Sequence, residues 1–212
     1  MRLRIDARLA INARLARGVQ VAGGVSVGRT VFDACDISGQ VDQIPAPFGL
    51  VVDQQPAPSN RTCHAAPPFQ PQVKLNGIIP LRWGLQTALT YQGIAGPEIT
   101  AQWQAPNDAV KGSLNRNLSA GQNATTLVQL ITPGTMYAGR LHQFDVRFSK
   151  AIRIGKAHIN GNLDVYNLFN ASPILIINTT YAGPPGTPGD AWQQPSYILP
   201  ARLFKFGTTI DF

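Results

Sequence analysis

Seven stretches of the chain alternate apolar and polar residues with a period of two. Because successive side chains of a β-strand point to opposite sides, each stretch predicts a strand with one apolar and one polar face. A helical face would instead repeat about every 3.6 residues. The apolar positions, counted in steps of two, run over Ile5–Leu15, Val19–Val27, Val73–Ile79, Leu85–Tyr91, Phe144–Phe148, Ile159–Val165 and Phe204–Phe212.

The composition agrees with a protein built from strands. Glu98 is the only glutamate, and charged residues make up 14% of the chain, whereas long helices favour Ala, Leu, Glu and Lys. No stretch approaches the roughly 18 uninterrupted apolar residues of a membrane helix. We therefore predict an all-β fold, an antiparallel up-and-down meander of about seven long strands.

The polar positions of the predicted strands carry their charge. No Asp, Glu, Lys or Arg occupies an apolar position within the predicted strands. A basic residue on the lipid side of a transmembrane strand costs about 2–4 kcal/mol at mid-membrane, whereas the inner side can face water. The separation therefore favours strands between lipid and a wet lumen. The side chains predicted to face that lumen are Arg8, Arg14, Lys74, Asp145, Arg147, His158 and Asp164.

The connections between these strands are short and long in turn. Tight turns are predicted at Arg17–Gly18, Pro80–Gly84 and Ile154–Lys156, and long loops over residues 29–71, 93–139 and 170–200. In a meander every short turn then falls at one end of the strands and every long loop at the other. Outer-membrane barrels have this asymmetry, with short periplasmic turns and long extracellular loops.

Aromatic residues occur near several predicted strand ends. Trp83, Tyr91, Tyr166 and Phe169 have these positions. Aromatic side chains are enriched where a barrel crosses the membrane interface, although ordinary strand packing also uses them. We interpret the four as an interfacial girdle.

Both cysteines, Cys35 and Cys63, lie in the first long loop. Neither belongs to a CxxC motif, and His64 alone is too little to complete a zinc site. An isolated pair in one loop predicts a disulfide and hence an oxidising compartment. Residues Met1–Asp6 carry no secretory signal. We therefore expect residues 1–212 to be the C-terminal piece of a longer exported protein.

Other classes of function have little support in the sequence. The net charge is +7, but the basic residues are scattered and no nucleic-acid-reading motif accompanies them. His64, His142 and His158 belong to no catalytic motif, and nothing pairs two carboxylates for hydrolysis. We predict neither an enzyme nor a nucleic-acid-binding protein, and no cofactor or metal.

Two segments carry a family resemblance. Leu141–Lys150 reads LHQFDVRFSK, and Asn162–Asn170 reads NLDVYNLFN. Together with a last strand that ends in Phe, they resemble the end of TonB-dependent outer-membrane receptors. The loop with the cysteines and the segment Gly134–Arg140 look like the large receptors that have an N-terminal carboxypeptidase-regulatory-like domain.

The resemblance implies a nutrient importer of the Gram-negative outer membrane. Such a receptor has a transmembrane barrel of about 22 strands around an N-terminal plug, and receives energy through a TonB-type coupler. This chain would supply only the C-terminal part of the barrel, inactive alone, with outer-membrane lipid and the rest of its barrel and plug as partners. The barrel-assembly machinery would read the last strand through Phe204, Phe206, Ile210 and Phe212. No residue indicates the substrate or its ligand contacts.

The residues leave a second interpretation open. A soluble, secreted, disulfide-containing β-sandwich, acting as a binding module or adhesin, would show the same alternation. The two interpretations differ in where the apolar faces go. In a sandwich they pack against each other around a core about 10 Å thick, and in a barrel they form an outward band.

Overall fold

A computed structural model describes residues 2–38, 63–182 and 191–212. Strands dominate, and the helices are the short α1 (Cys35–Ser38) and α2 (Asn107–Leu114). The strands in chain order are β1 (Arg2–Arg14), β2 (Gln20–Asp33), β3 (His64–Ala65), β4 (Gln70–Pro80), β5 (Leu85–Ile94), β6 (Gln102–Pro106), β7 (Thr125–Gln129), β8 (Leu141–Ile154), β9 (Ala157–Tyr166), β10 (Ile174–Ile177), β11 (Thr180–Tyr181), β12 (Pro195–Ile198) and β13 (Leu203–Asp211).

Seven long strands form one antiparallel sheet in the order β1-β2-β4-β5-β8-β9-β13, and β3 adds to the far end of β2. Each long strand pairs with the next long strand along the chain, as in an up-and-down meander. Their lengths run from 9 residues in β13 to 14 in β2 and β8, well above the usual 5–6 or so. The all-β prediction is confirmed. The sheet is open in the described residues, because β1 and β13 do not pair with each other.

Three tight turns lie together at one end of the sheet. In two of them, Arg17 and Trp83 adopt left-handed backbone conformations at φ 61° and 60°, each followed by a glycine that also has positive φ. Backbone hydrogen bonds close these turns, from Leu15 N to the Val19 carbonyl and from Leu81 N to the Leu85 carbonyl. The third turn places Gly155 at φ 60°, which glycine adopts without steric cost. All three predicted turns are present.

The strand register places the apolar positions of all seven strands on one side, which we call the apolar face. Leu89 of β5, for example, is paired with Gly77 on one side and with Val146 on the other, and Val146 with Val165. Val146 and Val165 are buried, but most large apolar side chains of this face are exposed: Leu9 by 65%, Leu89 by 41% and Phe206 by 78%. In the described part of the chain, no second sheet covers them.

Two strands extend further than the sequence predicts. β2 continues to Asp33 and brings Arg29 onto the apolar face, and β8 continues to Ile154 and does the same with Lys150. The predicted absence of charge from apolar positions therefore holds only for the shorter predicted strands. Lys150 donates from Nζ to the Trp83 carbonyl. The Arg29 guanidinium carbon lies 4.6 Å from the centre of the Phe69 ring, while its buried Nε has no hydrogen-bond partner among the described residues. Long cationic side chains reach polar or aromatic partners in this way.

The second and third long connections fold together at the opposite end. We call the described parts of residues 95–140 and 171–202 the loop assembly. It contains a three-stranded sheet in which β6 pairs with β7 and, in parallel, with β11, and a second pair formed by β10 and β12. The Trp192 indole nitrogen donates to the Thr100 carbonyl at 2.9 Å and so joins the third connection to the second.

The loop assembly holds much of the buried interior. Ala101, Ala105 and Ile177 are buried there. Asn107 is buried too, and its amide is satisfied: Oδ1 accepts from Leu118 N at 2.9 Å and Nδ2 donates to Asn117 Oδ1 at 3.2 Å. None of the helices in the described ranges is long and apolar enough to cross a membrane.

Candidate functional site

The seven side chains predicted to face a lumen all lie on the side of the sheet opposite the apolar face, which we call the polar face. Strand register fixes this placement, since each pairs with another polar-face position. They are spread from one edge of the sheet towards the other rather than gathered in one site. Arg8 and Arg14 are in β1 and Lys74 is in β4. Asp145, Arg147, His158 and Asp164 are in β8 and β9.

One direct ion pair joins members of this set. Arg147 donates to both carboxylate oxygens of Asp164, from Nε at 2.5 Å and from Nη2 at 3.0 Å. The Tyr166 hydroxyl contacts the same carboxylate at 3.4 Å. Lys205 in β13 is the cross-strand neighbour of Asp164. Asp164 is buried while Arg147 remains half exposed. A bidentate pair of this kind clamps two strands, so its role is structural.

A second polar network runs from β5 into the turn after β9. Gln92 donates to Gln143 at 2.8 Å, and Gln143 donates to both oxygens of Asp145 at 3.0 Å. Asp145 also accepts from the backbone N–H of Asn167 at 2.8 Å. The network therefore ties two strands, β5 and β8, to the start of the third connection.

Asn167 closes that connection. Its Nδ2 donates to the carbonyls of Ala171 and Pro200, at 2.8 and 2.9 Å, and its Oδ1 accepts from Ala171 N at 2.9 Å. Asn170 does the same for Arg202 N at 2.9 Å. Both asparagines have left-handed backbones, at φ 51° and 54°, which Asn tolerates better than most residues. The role of Asn167 and Asn170 in closing the third connection was not predicted from the sequence, although both belong to the segment that carries the resemblance.

The disulfide predicted between Cys35 and Cys63 is present, with the two Cα atoms 4.8 Å apart. It closes a connection whose residues 39–62 lie outside the described ranges. Bridging a sequence separation of 28 residues stabilises by about 3–4 kcal/mol in the loop-entropy account. Asp33 lies beside the bridge and accepts from Cys35 N, and its second oxygen lies 3.1 Å from His64 Nδ1. These two contacts, the backbone N–H first, hold the pKa of Asp33 below its ordinary value.

Aromatic rings gather on the apolar face where the long connections begin. Tyr91 and Phe144 have ring centroids 4.5 Å apart, and Phe169 meets Phe144 edge-on at 5.0 Å. The Tyr91 hydroxyl lies 2.9 Å from His142 Nδ1. Tyr166 is on the polar face instead, and Trp83 is at the short-turn end. Two of the four residues predicted as a girdle therefore share this cluster.

The residues predicted as a C-terminal assembly signal lie on the edge strand β13 or at its end. Phe204, Phe206 and Ile210 have apolar-face register, pairing with Val165, Leu163 and Ile159 in β9. All three side chains and that of Phe212 are exposed. They form an apolar row at one free edge of the sheet.

The largest cavity among those described lies on the polar face near the loop end, with a volume of about 570 Å³. Strands β1, β2 and β4 supply most of its lining, and the connection before β8 contributes Tyr137. Its lining side chains include Arg4, Asp6 and Arg8. No group of three or more His, Cys, Asp or Glu side chains suited to a metal ion occurs within the ranges that the structure describes.

The sequence matches no protein-family model and no curated protein.

Proposed function

We propose that the chain is part of the wall of an outer-membrane β-barrel, the C-terminal barrel portion of a TonB-dependent receptor that imports a scarce nutrient. Lipid would cover the apolar face, and the polar face would line the lumen. The long connections would lie outside the cell and capture ligand. Inactive alone, the chain would act with the remaining strands, a plug and a TonB-type energy coupler.

The observation that carries the proposal is the exposed apolar face. Large apolar side chains on all seven long strands point to the same side, and most of them remain exposed. Each square ångström of apolar surface left in water costs about 25 cal/mol, and soluble monomers rarely expose one continuous patch of this extent. Lipid supplies the missing contact, whereas a sandwich would need a second sheet over this face.

Strand length supports the same proposal. β5 has 10 residues, which at about 3.3 Å per residue gives roughly 33 Å. A tilt of about 40° reduces this to about 25 Å along the membrane normal, the height of the apolar band of a transmembrane barrel. The aromatic cluster around Tyr91 would then mark the outer interface.

The free edges of the sheet define the partners that the proposal requires. An unpaired edge strand exposes a row of backbone donors and acceptors, and a closed barrel has none. β1 and β13 would therefore pair with strands outside this chain. The exposed row Phe204, Phe206, Ile210 and Phe212 would be read by the barrel-assembly machinery before β13 finds its partner.

Paired arginine substitutions in β5 test the proposal. Leu89 lies at mid-strand on the apolar face, and its neighbour Thr90 lies on the polar face across from Asp145. In lipid, Leu89→Arg should lower the free energy of unfolding from phosphatidylcholine vesicles by about 2–4 kcal/mol, whereas Thr90→Arg should change it by no more than about 0.5 kcal/mol. The measurement is urea-dependent unfolding in vesicles, followed by tryptophan fluorescence, of the chain joined to the strands that the proposal places beside β1 and β13.

Vesicle flotation provides the complementary measurement. Expressed together with the strands that the proposal places beside β1 and β13, the unsubstituted chain should float with the vesicles after a urea wash and should fractionate with the outer membrane of a Gram-negative host. Recovery of the folded chain in the soluble fraction, or an equal effect of the two arginines, would refute the proposal.

A further inference from the structure

The polar-face cavity has an electrostatic character that the wall of a barrel does not require. Two arginines of the polar face, Arg4 and Arg8, line it against a single acidic side chain, Asp6. Its lining therefore carries net positive charge. The remaining polar residues around it are neutral hydrogen-bonding groups, namely Ser26, Thr30, Gln70, Gln72 and Tyr137.

The guanidinium groups of Arg4 and Arg8 retain unused donors. Both contact Asp6 through Nε, at 3.5 and 3.0 Å, so one carboxylate lies between two cations. Within the described ranges neither guanidinium has another hydrogen-bond or ion-pair partner. The planar guanidinium group of an arginine can bind a carboxylate or phosphate through paired N–H donors. Arg4 and Arg8 each lie two residues from Asp6 on the same face of β1.

A structured segment brings Tyr137 to this cavity. Glu98 accepts from Gly134 N at 2.5 Å, Glu98 and Tyr137 form a backbone bridge, and Arg140 donates to the Pro71 carbonyl at 2.5 Å. Pro67 and Pro68, which precede β4, line the cavity as well. Burial and then the Glu98 charge raise the pKa of Tyr137. Its hydroxyl therefore stays protonated and able to donate to an anion.

We propose that this cavity binds an oxyanion, a carboxylate or phosphate group of a small ligand, through Arg4 and Arg8 with Tyr137 as a further donor. Charge-assisted hydrogen bonds of this kind are stronger than hydrogen bonds between neutral groups. The inference rests on the proposed function in treating this anion as part of the nutrient that is taken up. The anion-binding step itself is measurable on the full chain without transport.

The test is titration calorimetry of the full chain in a neutral detergent, with citrate and inorganic phosphate as separate probes. Binding of citrate identifies the carboxylate class and binding of phosphate the phosphate class, and binding should weaken as ionic strength rises. Arg4→Ala and Arg8→Ala should each weaken binding about tenfold. Arg14→Ala is the matched control, because Arg14 lies on the same face of β1 outside this cavity, and should change the Kd less than about twofold.

Asp6→Asn should change the affinity for the anion in the opposite direction. It removes the one anion from the cavity lining, so binding should tighten about threefold or more, a result that a folding defect would not produce. The inference is overturned if neither probe binds, if Arg14→Ala weakens binding as much as Arg8→Ala, or if Asp6→Asn fails to tighten it. Loss of vesicle flotation overturns the proposed function instead, so the two failures are distinguishable.

Discussion

The long sheet and the loop assembly differ in where their apolar side chains go. On the apolar face of the sheet, Leu9, Leu89 and Phe206 are exposed, and hydrogen bonds between paired strands hold the sheet together. In the loop assembly Ala101, Ala105 and Ile177 are buried among short strands. The proposed function therefore places the apolar face of the sheet in lipid, whereas the loop assembly contains its own small core.

This difference indicates how stability is divided along the chain. Burial of apolar surface is the main favourable term in folding, and under the proposed function lipid or detergent supplies it for the sheet. The loop assembly depends instead on close packing, where small changes of volume are felt. The largest loss of stability is expected from a change at the junction between the two regions, a smaller one from changes within each region, and the smallest at the disulfide end.

The junction should be the most sensitive point. Asn167→Ala removes three side-chain hydrogen bonds that hold Ala171 and Pro200 and places Ala in a left-handed conformation. We expect a loss of about 3 kcal/mol in the unfolding free energy in detergent. Asn167→Gly is the control, because it keeps the backbone conformation and loses only the hydrogen bonds. A glycine variant less stable than the alanine variant would contradict this account of the turn.

The same substitution in the two regions should have different effects. Ala105 is fully buried in β6 of the loop assembly, and Ala7 is exposed on the apolar face of β1. Ala105→Leu should lower stability by about 2 kcal/mol through overpacking, whereas Ala7→Leu adds surface that detergent or lipid can cover and should be nearly neutral. Chemical denaturation in micelles measures both. Equal losses would remove the distinction drawn between the regions.

The smallest effect concerns pH at the disulfide end. The pKa of Asp33 is depressed by the N–H of Cys35 and by His64, so the charged carboxylate is favoured in the folded state. Its contribution is present above the ordinary aspartate pKa of about 3.9 and is lost as the pH falls through the lower folded value. Thermal unfolding between about pH 5 and pH 2 should therefore show a steeper decline than in Asp33→Asn. Parallel curves would exclude this role of Asp33.

The sequence was sufficient for the long strands because their alternation persists over many residues. It also indicated the three tight turns and the cysteine pair. It was insufficient for β6, β7 and α2, which are 5, 5 and 8 residues long and are too short for a periodic signal. The buried residues in and around these elements include alanines and Asn107, and these residue types do not by themselves indicate burial.

The candidate site was only partly visible for a different reason. Side chains alternate between the two faces along each strand, so the seven side chains predicted on the polar face could be named from the sequence. The cavity depends on the register of β1, β2 and β4 and on a segment that brings Tyr137 across from another connection, and neither is encoded by a local pattern. Lys150 shows the same limit, since its Nζ partner is the Trp83 carbonyl, far away along the chain.

The parallel pairing of Thr180–Tyr181 with Gln102–Trp103 sets an order of assembly. These partners are separated in the chain by the entire β8–β9 hairpin, so the loop between them closes at an entropic cost that grows with its length. Contacts of such large sequence separation form late in folding. The β8–β9 hairpin should therefore form before β11 pairs with β6, and a chain that ends before residue 180 would have β6 and β7 without the third strand of their sheet.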